Sequence, residues 1–408
     1  MKIKRLISTL IVVAMMLTMG ISNIVFASNQ NGNNGNNFPA LKNQFQSITQ
    51  TWIDQNYTFK AKVDEVIPVV NGYEELIGVL ITYKFKGDPC GYLVLSLIET
   101  DDNPVVAFSL EGEDIFTSMS RVGGYTNNSS KIKKLYSETM TSFSIETANG
   151  KGILKSNGVI EDKDEFIKNS KAMADRVKEL YPDVVEKIDT ATQIFYGKST
   201  KLIYDAFSGV PSGTIQSQGN LTGATTFTPV LMKDMPAYND YTKTAGSQNE
   251  GNCGPTALTN VIKYYHEKRG KTGLLRYGDL RIYTYGRLSF LSGYHPDIGM
   301  NTSVVISTLT TYASEQGFTC SGGAYWLNLW SDFTRDINAD KAIVLFVKGK
   351  IDDKDSNGHF VVVLGYRQHT NNAQFLRVAD GWYASNNRFV KFKPVELTSF
   401  RGFCVPIT

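Results

Sequence analysis

Apolar residues recur along this chain with two different periods. Leu41, Phe45, Ile48 and Trp52 fall three or four positions apart, the spacing of one helix face. Residues 76–85, 91–98 and 105–109 are instead apolar or alternating runs, which predict strands. Asp101-Asp102-Asn103-Pro104, between the last two runs, reads as a hairpin-type turn. A charged helical stretch is expected over residues 162–187, with Phe166, Ala172, Val177 and Leu180 facing inward. Residues 208–227 are rich in Ser, Gly and Thr and read as a connection. Beyond them, Leu258, Val261, Ile262 and Tyr265 predict a buried helix starting at about Gly254 or Pro255. Residues 360–366 form a short β-rich run, and Phe375-Leu376-Arg377 looks like the next strand of a meander. The pattern gives an α+β chain with a smaller unit over 38–207, a connection over 208–227 and a second unit over 228–408. A length of 408 residues agrees, being too long for one ordinary core.

The first residues follow a different logic. Lys2, Lys4 and Arg5 precede an apolar stretch over residues 6–24, and Val25-Phe26-Ala27 offers a small residue for cleavage. That is the layout of a secretory signal peptide over residues 1–27, and an uncleaved membrane anchor is the alternative. Residues 28–37 are low-complexity, Asn- and Gly-rich, and read as a flexible leader. The expected location is therefore secreted or at the cell surface, with no stable membrane insertion once the signal is removed.

Composition changes this picture little. Apolar residues make up 42% and charged residues 20%, which is a globular balance. A net charge of +3 gives no reason to expect nucleic acid as a partner. The charge divides, however: residues 28–227 hold 19 Lys+Arg against 24 Asp+Glu, and residues 228–408 hold 20 against 15. Opposite signs favour docking of the first unit on the second. Four cysteines are not a disulfide scaffold, although a Cys320–Cys404 bridge is possible. No Cys/His cluster has zinc spacing and no Gly-rich phosphate loop appears, so no metal or cofactor is expected.

The chemistry concentrates in the second unit, which holds every histidine. Cys253-Gly254-Pro255-Thr256-Ala257 opens the predicted helix, where unpaired N–H groups and the helix dipole favour thiolate over thiol. A buried cysteine capping a helix is the plainer reading of that motif alone. Gly358-His359 leads straight into the 360–366 strand, whose mouth suits an imidazole aimed at a thiol on a facing helix. Ala379-Asp380-Gly381-Trp382 follows the next strand; Asp380 would accept from the second imidazole nitrogen, and Trp382 would cover that bond. His266, His295 and His369 read as solvated or locally bonded, the last in a polar turn.

These three segments resemble the papain-like cysteine peptidases, and within them the branch related to bacterial peptidases that trim double-glycine leaders from bacteriocins. The resemblance covers residues 235–408. It implies Cys253 as nucleophile, His359 as general base and acid, Asp380 as orienting residue and Trp382 as shielding indole. Gln248 would supply the oxyanion-hole amide, five residues before Cys253 where the family usually has six. Gly91-Tyr92-Leu93-Val94-Leu95-Ser96 with Asn103-Pro104-Val105-Val106-Ala107-Phe108-Ser109 resembles the prodomain of streptopain-type secreted peptidases. That implies a zymogen whose own N-terminal unit is an intramolecular inhibitor, with a peptide or protein as substrate. A permanent second domain is the alternative to a prodomain. The rival functions are a transglutaminase-like acyl transfer and a non-catalytic binding protein on a peptidase fold.

Overall fold

The long apolar runs become strands buried along nearly their whole length. A computed structural model describes residues 38–56, 60–99, 103–112, 115–122, 134–139, 142–147, 149–155, 160–196, 214–235, 251–276, 281–296, 299–349, 358–385, 387–393 and 397–408. The signal-peptide and leader readings at 1–37 lie outside those residues. In the N-terminal part, α1 (Phe38–Asn56) is followed by β1 (Lys62–Val70), β2 (Leu76–Phe85), β3 (Asp88–Ser96) and β4 (Val105–Ser109). Near-continuous apolar strands require cover on both faces. Helix α1 packs on β1, and a later helix covers β2. The remaining elements of this part are α2 (Ile115–Val122), β5 (Leu135–Thr139), β6 (Ser142–Glu146), β7 (Gly152–Lys155) and β8 (Ile160–Asp162).

The charged stretch expected as one helix is two, α3 (Lys163–Leu180) and α4 (Pro182–Phe195). Pro182 causes the break, because its ring disfavours the helical conformation at the residue before it; Tyr181 leaves helical geometry with φ −132 and ψ 66. Asp162 caps α3 by accepting from the N–H groups of Asp164 and Glu165. Phe166 and Val177 are buried as expected, but Ser170 and Ala174 fill the other inward positions. Ala172 and Leu180 face solvent.

The C-terminal part comprises β9 (Ile215–Asn220), α5 (Cys253–Lys268), α6 (Arg281–Leu291), α7 (Val305–Glu315), β10 (Gly323–Ala324), α8 (Trp330–Asn338), β11 (Ile343–Gly349), β12 (Gly358–His369), β13 (Gln374–Ala379), β14 (Arg388–Lys391) and β15 (Leu397–Cys404). Strands β11 to β14 form an antiparallel meander, and β15 returns beside β11. Part of the 208–227 stretch, expected as a connection, is structured: β9 pairs with β12 over Gly365–His369. Its Ser/Gly composition misled because an edge strand needs main-chain partners more than large side chains. Helix α5 packs against β12.

The strands join into one sheet across the chain, because β4 pairs with β14 with Phe108 opposite Phe389. The described residues form one compact unit around two large apolar cores. The first core draws Ala373, Phe375, Tyr383 and Phe389 from the C-terminal part. Phe108 stacks on Phe389 at 4.8 Å, and Trp52 and Phe375 meet it edge-on. Full burial of each such ring contributes about 1.5–3 kcal/mol. A buried ion pair crosses the same seam, with Lys391 Nζ 2.5 Å from Glu99 Oε2.

Two expectations about individual residues change. None of the four cysteines forms a disulfide. Cys320 faces Ile407 while Gly323 faces Cys404, so Cys320 and Cys404 are three residues out of register. That is about 10 Å along the strand, beyond the span of a disulfide. His369 is fully buried, not in a solvated turn, because Trp52, Phe108 and Phe375 close over it. Among the described residues no helix is long and apolar enough to cross a membrane.

Candidate active site

Cys253 is the first residue of α5, one position earlier than its Gly-Pro motif suggests, with Asn252 as the preceding N-cap residue. Pro255 still sits in the first turn, where a missing N–H removes no helical bond. Gly251, at φ +74, makes the left-handed turn that leads into the helix. Asn252 makes no cap bond to its own helix; its Nδ2 donates to the carbonyl of Met232 at 3.0 Å.

The sulfur of Cys253 lies against the first residues of β12. Its S–H donates to the carbonyl of Gly358 at 3.9 Å. At Gly358–Phe360 one edge of β12 is taken by β11, while β13 pairs only from Val362 onward. The thiol occupies the side that β13 leaves open, flanked by Gly358 and the N–H of Phe360. His359 is the residue between them.

The imidazole is fixed on its far side. Its Nε2 is 2.8 Å from the main-chain carbonyl of Asp380. A carbonyl only accepts, so Nε2 carries the proton and Nδ1 is the basic nitrogen. The Trp382 indole stacks on the ring, with centroids 3.7 Å apart and planes 12° from parallel. Beside it an apolar hollow is bounded by His359, Asp380 and Trp382 together with Val347, Val361 and Val378.

The Asp380 carboxylate differs from the expected arrangement. It does not touch the imidazole: Oδ1 accepts from the N–H groups of Trp382 (2.9 Å) and Tyr383 (3.1 Å), and Oδ2 pairs with Arg388. The carboxylate thus closes the turn that brings its own carbonyl to His359, with Gly381 at φ +76 completing it. No local signal in the sequence picks out Arg388, a fully buried cation from the neighbouring strand.

Electrostatically the site is at rest. Burial pushes the Cys253 thiol above its ordinary value, while the N–H groups of Phe360, Gly254 and Cys253 itself pull the other way. The helix start therefore offers the expected stabilisation of thiolate, but desolvation outweighs it at 8% exposure. Burial likewise pushes His359 down to about 4; the charge and carbonyl of Asp380 oppose this, and the Arg388 guanidinium reinforces it. Both shifts favour the neutral thiol and the neutral imidazole. Gln248 lies outside the described residues, so the expected oxyanion amide has no structural account.

Residues 232–400 match the model of the Peptidase_C39 like family. The matched span holds Cys253, His359, Asp380 and Trp382, and it supports a relation to the C39-type cysteine peptidases. No curated protein matches the chain in sequence.

Proposed function

We propose that this chain is an exported cysteine peptidase, made as a zymogen, that hydrolyses peptide bonds through Cys253 and His359. The observation that carries the reading is the thiol of Cys253 at a helix start, against the strand mouth where His359 is held with Nδ1 free to take a proton. Cys253 S–H gives its proton to Nδ1, and the thiolate attacks the peptide carbonyl. The imidazolium then protonates the leaving amine, and the neutral imidazole activates water to release the acyl enzyme. Asp380 orients the imidazole through its carbonyl, and Trp382 keeps water from that bond. Gln248 remains the proposed oxyanion donor, together with the N–H of Cys253.

The zymogen part is supported by the burial that keeps thiol and imidazole neutral and by the N-terminal segment packed behind the Asp380 turn. Tyr383 reaches Met119 of α2, and Ser109 of β4 meets Ser385 at 3.3 Å. Activation requires the site to open, and the N-terminal segment, as its own inhibitor, is what must be cut or displaced. A productive cut falls upstream of residue 214, since residues 214–235 are bonded into the C-terminal part.

The test is hydrolysis of a peptide library by full-length and processed protein, alongside Cys253→Ala and His359→Ala. Loss of several orders of magnitude in both variants is expected, and activity within about tenfold of wild type would overturn the assignment. Equal activity of full-length and processed forms would remove the inhibitory role alone. A binding protein on the same fold would show no fast, pH-dependent labelling of Cys253 by an epoxide probe. A transglutaminase-like enzyme would instead join an added amine to the acyl group.

A further inference from the structure

Residues 228–235 run between the helix that carries Cys253 and the turn that carries Asp380, and they are hydrogen-bonded to both. On the helix side, Lys263 Nζ donates to the carbonyl of Thr228 at 2.9 Å. Asn260 clamps Val230 with both ends of its amide: Oδ1 accepts from the Val230 N–H at 2.6 Å, and Nδ2 donates to the Val230 carbonyl at 3.0 Å. Asn252 Nδ2 donates to the Met232 carbonyl at 3.0 Å. On the turn side, the Met232 N–H donates to the carbonyl of Gly381 at 2.8 Å. Met232 alone therefore bridges the residue before Cys253 and the residue after Asp380.

The side chains involved are poor choices for their positions unless this bridge is their purpose. Asn252 stands where an asparagine normally caps its helix, yet it makes no cap bond and spends its donor on Met232. Asn260 is in the helix interior, where asparagine is unfavourable, and it is fully buried. A buried amide is retained where its hydrogen bonds are met: Asn260 meets both of its ends, and Asn252 its donor, on the same eight-residue segment. The packing leaves little slack: a Cβ on Gly381 would lie 3.2 Å from Met232 and 3.3 Å from Thr256 of α5.

We infer that residues 228–235 are a strap that sets the spacing between the Cys253 thiol and the His359 imidazole, with Asn252 and Asn260 as positioning residues. The inference rests on the Cys–His reading above. The strap fixes the helix start to the turn by one residue's two main-chain groups, so loosening either amide lets the thiol move relative to the imidazole without unfolding either element. Both amides are fully buried, so they act on the thiol through the main chain they hold.

The test reads the thiol directly, through the rate of Cys253 alkylation by iodoacetamide in the full-length protein, followed across pH by mass spectrometry of its peptide. Asn252→Ala and Asn260→Ala are compared with Phe333→Leu, which loosens the same core at a residue of α8 packed on Tyr325, Phe392 and Phe400. Slack in the strap relieves the burial that raises Cys253, so the asparagine variants are expected to move the pH profile down toward that of an isolated thiol and to speed alkylation at pH 7 by about tenfold. Phe333→Leu should lower the melting temperature and leave the profile in place. The inference is overturned if the asparagine variants keep the wild-type profile, or if Phe333→Leu shifts it equally. His359→Ala separates the two levels. If processed protein carrying it still hydrolyses peptide within about tenfold of wild type, the Cys–His reading fails; if hydrolysis is lost and the asparagine variants keep the wild-type alkylation profile, only the strap fails. Asn260→Asp, which keeps the acceptor and loses a donor, serves with the same outcomes should an alanine form not fold.

Discussion

His359 is held by the main chain of Asp380, its Nε2 2.8 Å from that residue's carbonyl oxygen, while the Asp380 carboxylate closes the turn and pairs with Arg388. The carboxylate therefore acts on the imidazole at one remove. Where a carboxylate itself fixes the tautomer, exchange for the amide costs about 10⁴-fold in turnover. Here Asp380→Asn keeps an oxygen for the N–H groups of Trp382 and Tyr383 and leaves the carbonyl in place. Its kcat is expected to fall by about tenfold, measured on processed protein, whereas Asp380→Ala opens the turn and loses far more. A loss near 10⁴ for the asparagine form would mean that the carboxylate swings onto His359 in the working enzyme.

The Trp382 stack makes a second expectation, about titration. Burial is the largest cause of the depressed His359 value, and the indole is the surface laid on the ring. Trp382→Ala admits water, so the imidazole should titrate above its present value of about 4 and move toward the ordinary 6.5. Ring-proton NMR follows this readily, since the chain has only four histidines. An unmoved midpoint would show that burial by other groups dominates.

How much of this was legible in the sequence depends on the range of the contacts involved. Strands β2 and β4, the helix start at Cys253 and the strand start beside His359 follow from short motifs whose apolar spacing is local. The burial of His369 does not. Its neighbours Thr370, Asn371 and Asn372 are polar, and the ring that covers it, Trp52, comes from the far end of the chain. The pairing of β4 with β14 is equally silent, because register between distant strands leaves no local trace. Asp380 is a subtler case: its position was readable, but whether carbonyl or carboxylate meets the imidazole is decided by Arg388, eight residues on. Asn252 adjoins the conspicuous cysteine, yet its partner Met232 carries no signal of its own.

The Lys391–Glu99 pair ties the N-terminal and C-terminal parts with side chains only 6% and 1% exposed. Lys391 also donates to the Asn103 carbonyl at 3.0 Å. Removing one partner strands a buried charge, so Glu99→Gln or Lys391→Met is expected to cost about 3–5 kcal/mol in urea unfolding. The double variant Glu99→Leu/Lys391→Met should recover much of that loss, because no uncompensated charge remains. If each single change costs under about 1 kcal/mol, water reaches the pair and the seam is looser than its burial implies.

The same seam carries a pH dependence through His369. Its ring lies among Trp52, Phe108 and Phe375, and neither ring nitrogen has a hydrogen-bond partner. Burial, reinforced by the Arg367 charge, pushes it from the ordinary 6.5 down to about 4. The three aromatic side chains carry no charge, so Arg367 is the charged neighbour that acts on it. Above pH 6.5 the imidazole is neutral both folded and unfolded and adds nothing to pH dependence. Below that, the unfolded chain takes up the proton and the folded chain does not. Stability therefore falls as pH drops from 6.5 toward 4, by up to about 3 kcal/mol from this residue. His359 is depressed in the same direction and adds its own loss. His369→Phe, which suits the aromatic site, should remove the His369 share, flattening the stability curve between pH 7 and 4 in urea titrations while leaving the His359 share. An unchanged slope in that variant would show that His369 is protonated without opening the seam.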